Sequence, residues 1–364
     1  MIAFDGPSPI CSPSARSPGA AGTIDRAIGA LALADPAHRP GSGVVAAPPV
    51  STPAPEPAGI TVLLGLYNGA AHLQAQLDSY CGQSLKPARI WASDDGSIDG
   101  TPALFDRFAA QAGRHGLACN RFDGPRRGLT ANFLSMLARL GSDTAYAALS
   151  DQDDIWLPDK LARAVAALAP LGARPALLGT RSWEWHCDSG RRTLSRPVPP
   201  PYDFRHALVQ NFAGGNTMVL NRAALDLVQR ALPRIDGAAV HDWWLYQLIS
   251  GAGGAVLLDE VPQILYRQRR QNQIGANRGL RSKLMRFGAM LKGTYRAWND
   301  QNVAALRANA DLLTPEARAL LERFARDRTR ALPARLTMLR ATGLRRKGRI
   351  NQSVLWLAAA LKRL

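Results

Sequence analysis

The chain has few cysteines, no long apolar run and too few acidic residues to balance its basic ones. No stretch reaches 18 consecutive apolar residues, so no membrane-crossing helix is expected. No basic segment followed by a long apolar one opens the chain, so no secretory signal is expected and the protein reads as cytoplasmic. Cys11, Cys81, Cys119 and Cys187 are scattered and form no CxxC pair, which predicts ordinary reduced thiols. Helix-turn-helix, zinc-finger and RNP signatures are all missing, so the basic charge does not point to nucleic acid. Nor is there a fixed-period internal repeat.

What is present is enough for one large core with appendages, or two domains: 364 residues, 46% hydrophobic and 20% charged. The net charge of +17 is unevenly spread. Residues 278–364 hold 20 Lys/Arg against 5 Asp/Glu, whereas 60–277 carry only +3. Residues 1–58 are rich in Pro, Ala, Gly and Ser and read as a disordered leader with one short helix, Ile24 to Ala34. This predicts three parts: the leader (1–58), an α/β domain (59–277) and a basic helical C-terminal region (278–364).

Ile60 to Leu66 reads as a buried strand, and Tyr67-Asn68-Gly69 as the turn after it. A helix is expected over 71–84. The strand Arg89 to Ala92 then ends in Ser93-Asp94-Asp95-Gly96-Ser97. Helices over 101–112 and 129–140, with a short strand at 120–122 between them, lead to a strand at 145–149. Ser150-Asp151-Gln152-Asp153-Asp154-Ile155-Trp156 follows, with three carboxylates in four positions. They stand at the carboxyl end of a strand, where open α/β sheets place their ligands. Carboxylates this close repel one another and persist where a cation or a donor network neutralises them. All-oxygen ligands suit Mg2+ or Mn2+, and these ions suit a diphosphate. A helical pattern opens at Trp156, its helix expected over 159–168. Residues 190–204 read as a loop, 211–220 as glycines leading into a strand, and 222–231 and 241–250 as helices. Strands are expected at 176–181, 255–258 and 263–267. The alternation predicts a mostly parallel central sheet flanked by helices, with right-handed crossovers.

This ordered series of motifs, completed by Gly215-Asn216-Thr217, His241-Asp242-Trp243-Trp244 and Tyr266-Arg267-Gln268, resembles family 2 glycosyltransferases, in their rhamnosyltransferase-like branch. The resemblance spans roughly residues 60–277. It implies a GT-A fold and transfer of a sugar, with inversion, from a nucleotide-diphosphate donor. It implies that Tyr67, Asn68, Asp94, Asp95, Asp151 and Arg267 contact the nucleotide sugar. Asp153, with Asp151, is the implied metal pair, and Asp154 is an alternative ligand. Asp242 is implied as the general base that takes the acceptor hydroxyl's proton. Gly214, Gly215, Asn216, His241, Trp243 and Trp244 are implied around the acceptor, the tryptophans as a sugar-stacking wall; two adjacent side chains point in different directions on a helix, so at least one of the pair is expected in the core instead. Where relatives often carry His after Tyr-Arg-Gln, this chain has Arg269, a fixed cation that cannot ligate metal.

The expected acceptor is a glycan or a lipid-linked glycan in bacterial surface polysaccharide synthesis. Helices rich in Arg, Leu and Ala are expected over 280–291, 303–313, 316–329 and 353–364. The last sets Val354, Leu355, Trp356, Leu357 and Leu361 beside Lys362 and Arg363, a composition suited to an anionic membrane surface or to a helical subdomain with a solvated basic face. A different class of protein fits the same fold: a non-catalytic nucleotide-sugar or glycan-binding protein. It predicts binding without turnover. A glycoside hydrolase would need no nucleotide donor, and a nucleotidyltransferase would carry a Gly-rich basic loop after the first strand, which is missing.

Overall fold

The computed structural model describes residues 59–196, 198–268 and 293–364. The expected leader, Arg269 and the helix expected over 280–291 lie outside the described residues.

Eleven strands are present among the described residues: β1 Ile60–Leu66, β2 Arg89–Asp94, β3 Ala118–Asp123, β4 Tyr146–Asp151, β5 Ile155–Trp156, β6 Ala176–Thr180, β7 Trp183–Trp185, β8 Arg192–Leu194, β9 Val219–Asn221, β10 Ala255–Asp259 and β11 Ile264–Arg267. Seven form the central sheet in the order β10-β6-β9-β4-β1-β2-β3. All its pairings are parallel except those of β9, which runs against both β4 and β6. The central strand β1 is buried at every position, as expected of a strand covered by helices on both faces. The register sets Leu66 opposite Asp94 and Gly65 opposite Asp151. Carboxylates from β2 and β4 therefore flank the point where β1 ends and Tyr67 begins.

The second sheet, β5-β11-β7-β8, departs from expectation. Trp156 does not open a helix. It pairs with Ile264 across β5 and β11, and the helix begins only at Lys160. The stretch expected as a loop, 190–204, contains β8, and its last residue opens a short helix, Phe204–Ala207. Strands of two or three residues have no periodicity to read, because their partners come from distant parts of the chain.

Four helices follow residue 293: Thr294–Arg307, Pro315–Asp327, Leu332–Thr342 and Arg349–Ala360. Their apolar residues, among them Leu306, Leu321, Phe324 and Met338, belong to the same core cluster as Leu63, Phe133 and Trp244. Polar contacts continue the joint. Arg345 pairs with Asp203, Arg346 Nε donates to the Val209 carbonyl at 2.8 Å, and the Lys347 amide donates to Gln210 Oε1 at 2.9 Å. The C-terminal helices thus brace the segment that leads into Gly214–Thr217. No helix among the described residues is long and apolar enough to cross a membrane. Cys119 and Cys187 are free thiols.

Candidate functional site

The acidic turn after β4 is held open by its neighbours. Gln152, between the first two aspartates, clamps the Tyr67 backbone from both sides. It accepts from the Tyr67 amide at 2.9 Å and donates to the Tyr67 carbonyl at 2.6 Å. Gly69 leaves the room for this: a Cβ there would lie 2.1 Å from the Gln152 carboxamide. Tyr67 is left 58% exposed, with its ring on the surface at the mouth of the strand ends. Asn68 adopts the left-handed region at φ 47°, where its Oδ1 accepts from the Ile98 amide at 2.9 Å and its own amide donates to Ser97 Oγ at 2.9 Å.

Asp94 is buried and caps its own turn, accepting from the Ser97 amide at 3.1 Å and from the Ser97 hydroxyl. Asp95 accepts from the Gly128 amide at 2.7 Å through Oδ2, while its Oδ1 is buried with no partner. The orphaned oxygen belongs to Asp95; the carboxylate of Asp94 is the one held by its own loop.

Asp151, Asp153 and Asp154 each bring one carboxylate oxygen within 4.8 Å of the others. Three oxygens so grouped fit a hard divalent cation. Their environments differ. Asp151 and Asp153 are half-buried, whereas Asp154 is fully buried. Both oxygens of Asp154 are engaged: Oδ2 accepts from Asn216 Nδ2 at 2.5 Å and Oδ1 from the Arg267 amide at 3.3 Å. Burial, and then the charge of Asp151, push its carboxyl well above the ordinary range. Lys160 is buried beside it, with Nζ donating to the Thr217 carbonyl at 3.2 Å and lying 4.6 Å from the Trp156 ring centre. Burial pulls this amine far below its usual value. Arg267 closes the other side, donating from Nε to the Asp153 carbonyl at 2.8 Å and stacking 4.5 Å from the Trp185 ring centre.

The second half of the site is a single 3-10 turn, Gly215–Thr217. Its Gly215 amide donates to Asp242 Oδ2 at 2.9 Å, Asn216 holds Asp154, and Thr217 accepts from Lys160. Successive residues thereby anchor Asp242 and Asp154, and adjacent Cα atoms are only about 3.8 Å apart. Asp242 lies in the first turn of the helix His241–Gly251. It does not cap that helix, whose N-cap is Val240. Its Oδ1 is buried without a partner, and burial raises its pKa to about 6. His241 stacks on Phe133 with ring centres 4.4 Å apart; burial drives its pKa down to about 3, so the ring is neutral. Gly215 sits against this ring: a Cβ there would lie 2.4 Å from His241 Nε2.

Neither of the tryptophans implied for an acceptor wall forms one. Trp244 is fully buried in the core, and Trp243 is buried with Nε1 donating to the Ala207 carbonyl at 2.7 Å. Their helix is covered on nearly every side, so neither indole offers a face to a sugar. Sequence reasoning missed Gln152 and Lys160. Gln152 sits inside the acidic motif, and only the clamp on Tyr67 reveals its part. Lys160 follows the motif at helical spacing and passes for a surface lysine.

Fold and site together describe a GT-A-like α/β protein with an acidic strand end facing a buried carboxylate. Residues 61–226 match the model of Glycosyl transferase family 2. The helix bearing Asp242 lies beyond the matched residues. The chain is similar to the dTDP-rhamnosyl transferase RfbG of Shigella flexneri, 27% identical over 243 residues that make up 64% of this chain and 81% of that protein. Among solved structures, it is similar to residues 1–349 of S. aureus TarS in complex with UDP-GlcNAc, at 13% identity and TM-score 0.44, covering 82% of this chain and 79% of that one. It is also similar to the mannosyltransferase PcManGT of Pyrobaculum calidifontis in complex with GDP-Man and Mn2+, at 20% identity and TM-score 0.42, covering 85% and 89%.

Proposed function

We propose that the protein is an inverting glycosyltransferase of surface-polysaccharide synthesis, moving a sugar from a nucleotide-diphosphate donor to a hydroxyl of a glycan or lipid-linked acceptor. The observation that carries this reading is the shared turn. Gly215 and Asn216 tie Asp242 to the acidic strand end, so a base and a diphosphate-type cation site stand side by side.

The residues divide the work as follows. Tyr67 offers its exposed ring to the nucleobase. Asp95, with one unpartnered oxygen, accepts from the base or the ribose. Asp151 and Asp153, the two half-buried members of the cluster, would hold Mg2+ or Mn2+, with the fully buried Asp154 held behind them by Asn216 and Arg267. When bound, the cation screens the diphosphate and stabilises it as a leaving group. Asp242 Oδ1 takes the proton of the acceptor hydroxyl. The freed oxygen bonds to the anomeric carbon from the face opposite the diphosphate, and the bond from that carbon to the phosphate oxygen breaks with its electron pair. The configuration at the anomeric carbon is thereby inverted. The Shigella flexneri relative makes dTDP-rhamnose the first donor to try.

The test is turnover with dTDP-rhamnose and an extract of lipid-linked glycans, followed by proton NMR of the product. Nucleoside diphosphate should be released only with donor, acceptor and divalent cation together, and the product's anomeric configuration should be opposite to the donor's. Donor bound tightly with no release under any condition would instead identify a binding protein on this fold.

A further inference from the structure

The last helix, Arg349–Ala360, has both buried and exposed apolar residues. Leu355, Ala358 and Ala359 are buried against the core. Ile350, Val354, Leu357 and Leu361 recur at i, i+4, i+7 and i+11, which aligns them along one side of the helix and its first residue beyond. Ile350 is 74% exposed, Leu357 39% and Leu361 45%; Val354 between them is half-buried and packs against the core, so the exposed row is Ile350, Leu357 and Leu361. Leu332, at the start of the neighbouring helix, is also exposed. A single exposed leucine is ordinary, but an aligned row on an outward face marks a surface that meets something.

Cations frame the row. Arg349 and Lys362 are exposed beside Ile350 and Leu361. Residues 328–364 contain ten Lys/Arg and no Asp/Glu. Some of these charges are spent within the fold: Arg328 pairs with Asp300, Arg345 with Asp203, and Arg340 lies over the Trp356 ring at 5.7 Å.

We propose that this face, the outer row of the last helix with its basic rim, docks the protein on an anionic phospholipid surface. Charge selects the occupant. A second copy of the chain would bring two basic rims together, which repel. The segment 269–292 is itself basic and meets the same objection. Nucleic acid answers the cations but leaves the aliphatic row in water, since its bases stack on aromatic rings. A bilayer with acidic headgroups answers both: the row enters the acyl boundary and the rim meets the headgroups. Docking of this kind does not depend on the transfer reaction, although it would bring the site to the layer where a lipid-linked acceptor lies.

The experiment is co-sedimentation of the full chain with vesicles of phosphatidylcholine, with and without phosphatidylglycerol. The expected result is binding at least about tenfold tighter to the anionic vesicles. The triple substitution Ile350→Ser, Leu357→Ser, Leu361→Ser should weaken that binding by about tenfold or more. Its solution mass should be unchanged and it should still melt cooperatively, roughly a few degrees lower, because Leu357 and Leu361 are partly covered. Equal partition to both vesicle types would overturn the proposal, as would a triple variant that binds like the parent. A parent that is dimeric by light scattering, becomes monomeric in the triple variant and ignores vesicles would overturn it in favour of a second copy. Binding to RNA that the triple substitution leaves intact, without vesicle binding, would do so in favour of nucleic acid.

Discussion

Replacing Asp242 by Asn is expected to cut turnover by about 10²–10⁴-fold, the usual worth of a positioned general base, while making the protein more stable at neutral pH. The two effects have one cause. Burial raises the carboxyl from 3.8 to about 6, so the folded protein bears the cost of a charge with little solvent around it. The sign follows from proton uptake. Between the unfolded and folded pKa values the folded state binds more protons, so stability falls as pH rises through that window. The full cost stands above about pH 6. A tenfold change in a proton-binding constant is worth about 1.4 kcal/mol, which puts a ceiling of about 3 kcal/mol on the gain from Asn. Loss of the charge-assisted bond from the Gly215 amide offsets part of it. Two measurements check this: melting of parent and Asp242→Asn across pH, and the pH profile of kcat/KM. The stability gain should be largest near pH 8 and shrink toward pH 4, and the parent's acid limb should lie near 6. A variant that keeps full turnover would remove Asp242 from the chemistry. One that loses turnover and stability together at pH 8 would make it a structural residue.

Gly215→Ala is expected to be the most damaging single methyl group in the site. The added Cβ would lie 2.4 Å from His241 Nε2 and 3.4 Å from the Asp242 Cβ. The imidazole is not the loose end of a flexible side chain. It is buried, stacked on Phe133 and in the same helical turn as Asp242, so it yields only if the helix start moves or the 3-10 turn shifts. Either movement lengthens the bond from the Gly215 amide to Asp242 and disturbs Asn216, the next residue, on Asp154. Overpacking of this kind costs about 1–3 kcal/mol in stability. A misplacement of about 1 Å at a reacting group costs about 10²-fold in rate. The variant should therefore lose about two orders of magnitude in kcat while still binding donor, since Tyr67 and Asp95 are untouched. Parent-like turnover would show that the turn does not position the base. Loss of donor binding with unchanged kcat would place the turn on the donor side.

The α/β alternation is legible from residue 59 to the end of β4 because β1, β2 and β4 hold apolar runs that end in turn signals, while the polar β3 is marked only by the helices on either side of it. Helices at 101–113, 129–139 and 222–231 stand within a residue of where their periodicity puts them. The carboxylates at the ends of β2 and β4 are visible for the same reason, since strand ends of a parallel sheet share one edge. What is hidden is whatever depends on distant pairing. β5, β7 and β8 are too short to have a period; β5 and β7 pair with β11, and β8 with β7. The helix Leu332–Thr342 has apolar residues but hardly any sidedness, so its pattern does not announce it. Helix geometry puts at least one of Trp243 and Trp244 in the core; that both are there follows from a helix buried nearly all round, which no local pattern reveals. The shared turn at Gly215–Thr217 is legible as glycine freedom. Its double anchoring of Asp154 and Asp242 is not, because that joins residues 62 and 27 positions apart.

If the acidic strand end holds a nucleotide-diphosphate sugar through a divalent cation, donor affinity must depend on both the ion and its carboxylates. Calorimetric titration of the full chain with dTDP-, UDP- and GDP-sugars, each with Mn2+, with Mg2+ and with chelator, reads that dependence. One nucleotide class should bind, and chelator should weaken the binding sharply. Asp153→Ala should have the same effect as chelator in a protein that melts as the parent does. Binding indifferent both to chelator and to Asp153→Ala, or no binding by a folded protein to any of the donors, would show that this strand end is not the donor site.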